Sequence, residues 1–125
     1  MNKSQVLQNF WSGFGVPAYD EGTVPTGGNA PQFPYITYSA AVDSMGNEVA
    51  LSASVWYRSS SWSEITQKFE EISNRIGYGG KLFGYDGGAL WIKRGTPFAQ
   101  RMADESDDMI RRIYLNVDAE FISAN

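Results

Sequence analysis

The sequence contains no cysteine and no histidine. Without cysteine, the chain has no disulfide bond, no thiolate nucleophile and no sulfur-rich metal site. Without histidine, it lacks the side chain that most often transfers protons at neutral pH and most often binds metals. Only Asp, Glu, Lys, Ser and Tyr remain for acid, base or nucleophilic chemistry. We therefore expect no metal and no cofactor, and we expect that the protein is not an enzyme.

The chain also lacks an excess of positive charge and any long apolar segment. Its formal net charge is −4 and its pI is about 4.7, whereas proteins that bind nucleic acids usually carry a basic surface that displaces counterions from phosphates. No apolar run approaches the roughly 20 residues that cross a membrane. Residues 1–5 lack the apolar stretch of a secretion signal. We expect a protein that is made and kept in a cytoplasm, without tight nucleic-acid binding and without membrane insertion.

Proline is scarce except in one segment. The chain of 125 residues has the usual size of a single domain, and four of its five prolines lie within residues 17–34. Such a segment does not form a helix or an inner strand. A long segment without regular structure is usually functional or disordered, and Tyr19, Val24 and Phe33 give this one apolar side chains. Two interpretations stay open, a mobile surface loop and an arm that binds a partner.

Two segments have the apolar spacing of amphipathic helices. Residues 4–14 form the first predicted helix, which Ser4 caps. The second begins with the capping-box pair Ser61 and Glu64 and ends at Gly77, where a left-handed cap is typical. Its apolar side chains advance by three or four residues, which places them on one stripe. The stripe consists of Trp62, Ile65, Phe69, Ile72 and Ile76.

Apolar and polar residues alternate in three other regions. Residues 35–42 and 48–58 predict a hairpin around a turn at 43–47. Residues 81–94 predict a second hairpin, and residues 110–122 predict a long strand with one buried face.

Residues 95–108, between the second hairpin and the last strand, predict an irregular loop whose C-terminal part is acidic. The whole pattern predicts one α+β domain over residues 1–125. We expect a mostly antiparallel sheet of four to five strands, two helices packed on one of its faces, and long irregular loops at 17–34 and 95–108.

Large aromatic and arginine side chains occur outside the predicted core. Arg, Trp and Tyr are enriched among the residues that dominate protein–protein binding. We therefore predict a surface for subunits or partners that is formed by Tyr19, Val24, Phe33, Trp56, Arg94, Phe98, Arg101, Arg112 and Tyr114.

Other function classes compete with this interpretation. A carboxylate-dependent hydrolase would use Asp104, Asp107 or Glu120, and a serine nucleophile would need Lys68 as its base beside Ser63. Against both, carboxylates in loops and serines at helix starts usually cap or face solvent. A third class is an adaptor that recognises one cytoplasmic partner as a monomer.

Four runs along the chain carry a resemblance to a known family. They are Phe10-Trp11, Phe33-Pro34-Tyr35-Ile36-Thr37-Tyr38, Trp56-Tyr57-Arg58-Ser59-Ser60-Ser61-Trp62 and Ile110-Arg111-Arg112-Ile113-Tyr114-Leu115. Over roughly residues 4–122 the chain resembles the small tail terminator, or tail completion, proteins of long-tailed, non-contractile bacteriophages. A head–tail neck component of similar size and fold would share this pattern.

The resemblance implies a structural virion protein without chemistry or cofactor. Members of that family form a six-fold ring on the head-proximal end of the tail tube, stop tube growth and provide the surface that joins the head. The implied partners are copies of the chain, the tail tube protein and the head connector or neck proteins. DNA would pass through without specific binding, because like charges on the wall repel it. We accordingly expect Asp104, Glu105, Asp107 and Asp108 to face the lumen, in a virion assembled in the host bacterial cytoplasm.

Overall fold

The protein is one small α+β domain with two α-helices and a six-stranded curled sheet in the described part of the chain. A computed structural model describes residues 2–40, 48–104 and 106–123. The helices are α1 (Lys3–Trp11) and α2 (Ser63–Ile76), and the strands are β1 (Ala18–Asp20), β2 (Tyr35–Tyr38), β3 (Glu48–Arg58), β4 (Lys81–Tyr85), β5 (Gly88–Ala103) and β6 (Ile110–Ser123). The order of strands is β1-β2-β3-β6-β5-β4.

The class of fold agrees with the prediction, and the number of strands does not. The sheet has six strands, whereas four or five were expected. Every neighbouring pair is antiparallel except β1 and β2, which are parallel. No helix in the described ranges is long and apolar enough to cross a membrane.

The core lies between the two helices and one face of the sheet. Strands β3 and β6 form its centre, and their inward side chains alternate with outward ones, as predicted. The buried residues of this face are Leu51, Ala53, Val55, Tyr57, Ile113, Leu115, Val117, Ala119 and Phe121. Helix α1 and the 3₁₀ turn that follows it contribute Val6, Leu7, Phe10, Trp11 and Phe14.

Helix α1 is capped at an earlier residue than predicted. The side chain of Asn2, not that of Ser4, accepts a hydrogen bond from the Gln5 amide (2.9 Å), and the Gln5 side chain accepts one from the Asn2 amide (2.9 Å). This reciprocal capping box satisfies two amides that the helix itself leaves without partners.

Helix α2 keeps its predicted stripe but not its predicted cap. The helix begins at Ser63, so Ser61 lies one residue too far from the first turn to form a capping box with Glu64. The Ser61 hydroxyl instead accepts a hydrogen bond from the Ser63 amide (3.0 Å), which is a local serine turn. Ile65, Ile72 and Ile76 are fully buried, and Trp62 and Phe69 pack at the margin of the core. Gly77 ends the helix with a φ of 75°.

The predicted loop at 95–108 is wrong over residues 95–103, because β5 continues through Ala103. The ladder between β5 and β6 changes register between Arg94 and Ala99 and then resumes. Pro97 within this bulge has no amide to donate to a ladder, and its carbonyl accepts a hydrogen bond from the Asn116 side chain (2.9 Å). Gly95 and Pro97, which disfavour a strand by sequence, therefore lie at a bulge inside a long strand.

The proline-rich segment is more ordered than an irregular loop. It contains β1, which pairs with β2 at the edge of the sheet, and two 3₁₀ turns, Glu21–Thr23 and Gly27–Asn29. An inner strand was excluded by the sequence, and β1 is an edge strand. The first predicted hairpin is present as β2 and β3, although its turn at 43–47 lies outside the described residues. The second is present as β4 and β5.

We predict that Gly88→Ala destabilises the protein whereas Gly84→Ala does not. A Cβ atom at Gly88 would lie 2.0 Å from the Ile122 carbonyl oxygen, so the ladder between β5 and β6 would have to shift. Overpacking of this kind costs about 1–3 kcal/mol. No atom lies within 4 Å of a Cβ atom built at Gly84, which makes this edge-strand glycine the matched control. Urea denaturation of both variants measures the difference, and equal midpoints would contradict the close approach of the Ile122 carbonyl to Gly88.

Candidate partner-binding surface

The sheet face opposite the helices carries a row of large side chains. Alternation within β2, β3 and β6 turns Tyr35, Trp56 and Arg112 outward, because their neighbours along each strand face the core. The strand register aligns these three residues directly, Tyr35 with Trp56 and Trp56 with Arg112. Tyr114 faces outward in the next row, opposite Ser54. Three separated segments of the chain thus meet on one surface.

The side chains in this row stack on one another. The rings of Tyr35 and Trp56 are nearly parallel, with centroids 5.9 Å apart and planes 15° from each other. The guanidinium carbon of Arg112 lies 4.6 Å from the Trp56 ring centroid and 5.6 Å from that of Tyr114. These are distances at which a cation is attracted by the face of an aromatic ring.

The proline-rich segment extends the row at the edge of the sheet. The Phe33 and Tyr35 ring centroids are 5.4 Å apart, and Tyr19 meets Tyr35 edge to face at 6.2 Å. We call this surface the aromatic–arginine cluster, and it consists of Tyr19, Phe33, Tyr35, Trp56, Arg112 and Tyr114. All six side chains are half-buried, so each retains a solvent-facing area.

Hydrogen bonds to neighbouring side chains on the same face of the sheet hold the centre of the cluster in place. The Trp56 indole donates to the Thr37 hydroxyl (2.9 Å), and the Arg112 Nε donates to the Ser54 hydroxyl (3.0 Å). Both acceptors are buried polar residues. Because the rotamers are set before any partner arrives, binding here would lose little side-chain entropy.

The tyrosine at the centre of the cluster stays neutral. Burial raises the pKa of Tyr35 above its ordinary value, and the positive charge of Arg112 opposes that rise only in part. At neutral pH the cluster therefore presents uncharged aromatic rings and one guanidinium. No ion pair joins Arg112 to an acid in the described ranges.

Five of the nine side chains predicted to form a partner surface belong to this cluster, and three lie on the helix side of the sheet. Arg94 donates to the Ser73 carbonyl at the end of α2 (2.9 Å) and lies 5.7 Å from the Phe98 ring. Phe98 packs on Phe69 of α2, with centroids 5.6 Å apart. These two side chains attach the bulge of β5 to the helix.

Arg101 and Val24 complete the nine predicted residues. Arg101 is the third residue on the helix side, and it lies over the ring of Trp62, 4.8 Å from the ring centroid. Val24 is half-buried in the proline-rich segment, directly after the first 3₁₀ turn of that segment.

The prediction omitted one central member of the cluster. Alternation within residues 35–42 gives Tyr35 an outward position, but the surface predicted from the sequence does not include it. The pairing of Tyr35 with Trp56, which the sequence does not show, adds Tyr35 to that surface.

The acidic segment after β5 is built around hydrogen bonds to its own backbone. One oxygen of Asp104 accepts bonds from the Ser106 amide (2.8 Å) and hydroxyl (2.6 Å) and from the Asp107 amide (3.2 Å). Asp107 accepts a bond from the Met109 amide (2.9 Å) and pairs with Arg58 (3.1 Å). These bonds lower the pKa of both carboxyl groups.

These bonds account for two of the four predicted lumen residues. Asp104 and Asp107 hold a turn, Asp108 is exposed, and Glu105 lies outside the described residues. The prediction that this segment faces a lumen stays a prediction.

The geometry of the enzyme alternatives is unfavourable in the described residues. Lys68 donates to the Phe14 carbonyl and to Glu71, and the Ser63 hydroxyl bonds with that of Ser61, so neither engages the other. Glu120 lies on the outer face opposite Trp91. In the described ranges no group of three or more Asp or Glu side chains has the arrangement of a metal site.

A pocket of about 490 Å³ opens beside α1. Its lining consists of Ser4, Gln5, Gln8, Asn9, Ser12 and Tyr38. The Gln8 side chain already bonds within this group, accepting from the Tyr38 hydroxyl and donating to Ser12. The lining contains no carboxylate, so the pocket does not bring the proposed hydrolase residues together.

Comparison of the chain with protein-family models, with curated proteins and with solved structures found no match. The assignment of function therefore depends on the surface itself and on the resemblance of its sequence runs.

We predict that Asp107→Asn lowers stability at neutral pH and makes it less sensitive to acid. The folded-state pKa of Asp107 is lowered, so its carboxylate stabilises the fold above the unfolded-state value of about 4. That stabilisation is lost as the pH falls through the lower folded-state pKa. Asn can still accept from the Met109 amide but does not pair with Arg58. Urea denaturation at neutral and acidic pH should show the gap between variant and wild type closing on acidification.

Asp108→Asn is the matched control for this experiment. Asp108 is exposed and has no hydrogen bond to another described residue, so the variant should follow the wild type at both pH values. A constant gap between Asp107→Asn and the wild type would contradict the assigned role of the carboxylate.

Proposed function

We propose that the chain is a non-catalytic structural subunit that assembles into a ring and caps the head-proximal end of a phage tail tube. The observation that carries the proposal is the aromatic–arginine cluster. Phe33, Tyr35, Trp56, Arg112 and Tyr114 belong to three of the runs that resemble tail terminator proteins, and they meet on one solvent-facing surface. Residues far apart in sequence thus contribute to one potential contact.

The composition and rigidity of the cluster favour binding to another protein. Trp, Tyr and Arg are the side chains that contribute most to protein–protein affinity. Stacking and the bonds to Thr37 and Ser54 hold them in place. An extended sheet face with such side chains suits a broad protein surface better than a small substrate, because substrate sites are usually concave.

In this proposal the ring stops the addition of tube subunits and presents the surface that joins the filled head. Its partners are other copies of the chain, the tail tube protein and the head connector or neck proteins. The net charge of −4 favours passage of DNA without adhesion, since like charges repel. The protein would reside in the virion, at the head-proximal end of the tail.

Native mass spectrometry with negative-stain imaging tests the ring, and purified tail tubes without a terminator test the cap. We expect annular particles of about six subunits, and one such ring at a single end of each tube. A chain that stays monomeric and does not bind tubes would contradict the proposal and turn it towards an adaptor. Binding to isolated head connectors without binding to tubes would instead identify a neck component.

We predict that Trp56→Ala and Arg112→Ala each weaken binding to the tube at least tenfold. Removal of an aromatic or arginine side chain that is a hot spot of an interface costs about 2 kcal/mol or more, or roughly 30-fold in affinity. Tyr78→Ala is the matched control, because Tyr78 is fully exposed and precedes β4 at the other edge of the sheet. Cosedimentation with tubes measures binding, and thermal denaturation checks the fold. Unchanged binding by folded Trp56→Ala and Arg112→Ala would exclude the cluster from the tube contact.

A further inference from the structure

A pair of arginines outside the aromatic–arginine cluster lies on a single indole ring. The guanidinium carbons of Arg101 and Arg111 lie 4.8 Å and 5.2 Å from the Trp62 ring centroid. Both arginines are on the helix side of the sheet, because Arg111 is paired with Tyr57 and Arg101 with Ile113, whose side chains face the core. We call Arg101 and Arg111, which share the Trp62 ring, the arginine pair.

The arginine pair has no acidic partner within the described ranges. Arg111 donates from Nη2 to the Ser60 carbonyl (3.1 Å), while its Nε is buried without an acceptor. Arg101 is exposed and makes no hydrogen bond to another described residue. Among the described acids of the turn that follows β5, Asp107 pairs with Arg58 and Asp104 bonds to its own turn. Within the described ranges these two positive charges therefore have no acidic partner, which favours an anionic group from another molecule.

Three carboxylates form the opposite arrangement at the far end of β6. Glu48, Asp118 and Glu120 lie on the outer face, where Glu48 is directly opposed to Glu120, and Asp118 to Lys93. We call these three the carboxylate group. Lys93 bonds to Glu48 at 2.7 Å and lies 4.3 Å from the Trp91 ring centroid. All three carboxylates raise the pKa of Lys93, and the hydrogen bond to Glu48 is the largest cause.

The charges of the carboxylate group do not cancel. One ammonium lies among three carboxylates, and like charges opposed across two strands destabilise each other. The group therefore favours a cationic partner, as the arginine pair favours an anionic one.

The positions of these two surfaces restrict how copies can pair. They lie on opposite faces of the sheet, and the run of β6 from Arg111 to Asp118 and Glu120 spans roughly 23–30 Å at the usual strand rise. In a two-fold dimer, the arginine pair and the carboxylate group of one copy would both have to contact the same second copy. Because they lie on opposite faces of the sheet, they would instead contact two different copies, so a contact between the arginine pair of one copy and the carboxylate group of another is head-to-tail. Repetition of such a contact generates a closed ring or a filament.

We infer that the arginine pair of one copy binds the carboxylate group of the next copy. The inference rests on the proposed self-assembly and specifies the contact that produces it. The contact joins carboxylates of one copy to guanidinium groups of the next, and both guanidinium groups lie over the Trp62 ring.

A charge exchange tests the contact. Arg101→Glu and Glu120→Lys should each weaken self-assembly at least tenfold, because each places like charges against each other. The mixture of the two variants should reassemble, since every contact between unlike subunits again joins opposite charges. The double variant Arg101→Glu/Glu120→Lys should also assemble. Native mass spectrometry over a concentration series measures all four samples.

Lys81→Glu and Glu70→Lys are the matched controls. They make the same changes of charge at exposed positions outside both surfaces, and they should assemble like the wild type. Thermal denaturation of every variant checks the fold.

The outcomes distinguish failure of this contact from failure of the proposed function. Wild-type assembly by Arg101→Glu, or failure of the folded variants to reassemble when mixed, overturns the contact. If wild-type rings nevertheless cap tubes, the proposed function stands and copies join elsewhere. A wild-type chain that neither assembles nor binds tubes overturns the proposed function and the contact together.

Discussion

The pairing of β3 with β6 is the interaction on which the rest of the structure depends. Glu48 through Arg58 lie opposite Glu120 through Ile110 without a break in register, at the centre of the sheet. This register buries Val55 against Ile113 and, one residue later, aligns Trp56 with Arg112 on the other face. A shift of the pairing by one residue would turn the buried side chains of a strand to the surface, so the same alignment determines the hydrophobic core and the aromatic–arginine cluster. Trp56 faces outward because Val55 and Tyr57, its neighbours along β3, are buried in the core.

The same alignment distributes the charges. Along β6 the outward positions run from Arg112 and Tyr114 to Asp118 and Glu120, and the inward series begins at Arg111. One strand therefore contributes to the aromatic–arginine cluster, to the carboxylate group and to the arginine pair. Both helices pack on one face of the sheet, and the aromatic–arginine cluster and the carboxylate group lie on the other. The net charge of −4 is compatible with locally strong charges of both signs.

Sequence alone predicts the parts of this structure in which local pattern and tertiary packing agree. The stripe of α2 and the alternation of β6 are of this kind, since their apolar spacing is also their burial. The 95–108 segment is different, because Gly95 and Pro97 disfavour a regular strand locally while pairing with β6 on both sides of the bulge continues the strand. Without β5 as a strand, no alternation assigns Arg94 and Arg101 to the helix side. The sequence therefore groups these two arginines with Arg112, which the alternation of β6 alone places on the outer face. The predicted capping box of Ser61 and Glu64 is wrong because α2 begins at Ser63. Local hydrogen bonds decide the first residue of a helix, and an apolar pattern locates it only to within one or two residues.

We propose that the outer face of the sheet becomes covered when the protein assembles. Hydroxyl-radical footprinting of the free chain and of the chain on tail tubes measures this directly, side chain by side chain. The account predicts that Tyr35, Trp56 and Tyr114 lose reactivity on assembly, while the fully exposed Tyr78 keeps its own and serves as the internal reference. Equal reactivity of the three cluster side chains in both samples, with tube binding established, would contradict the account.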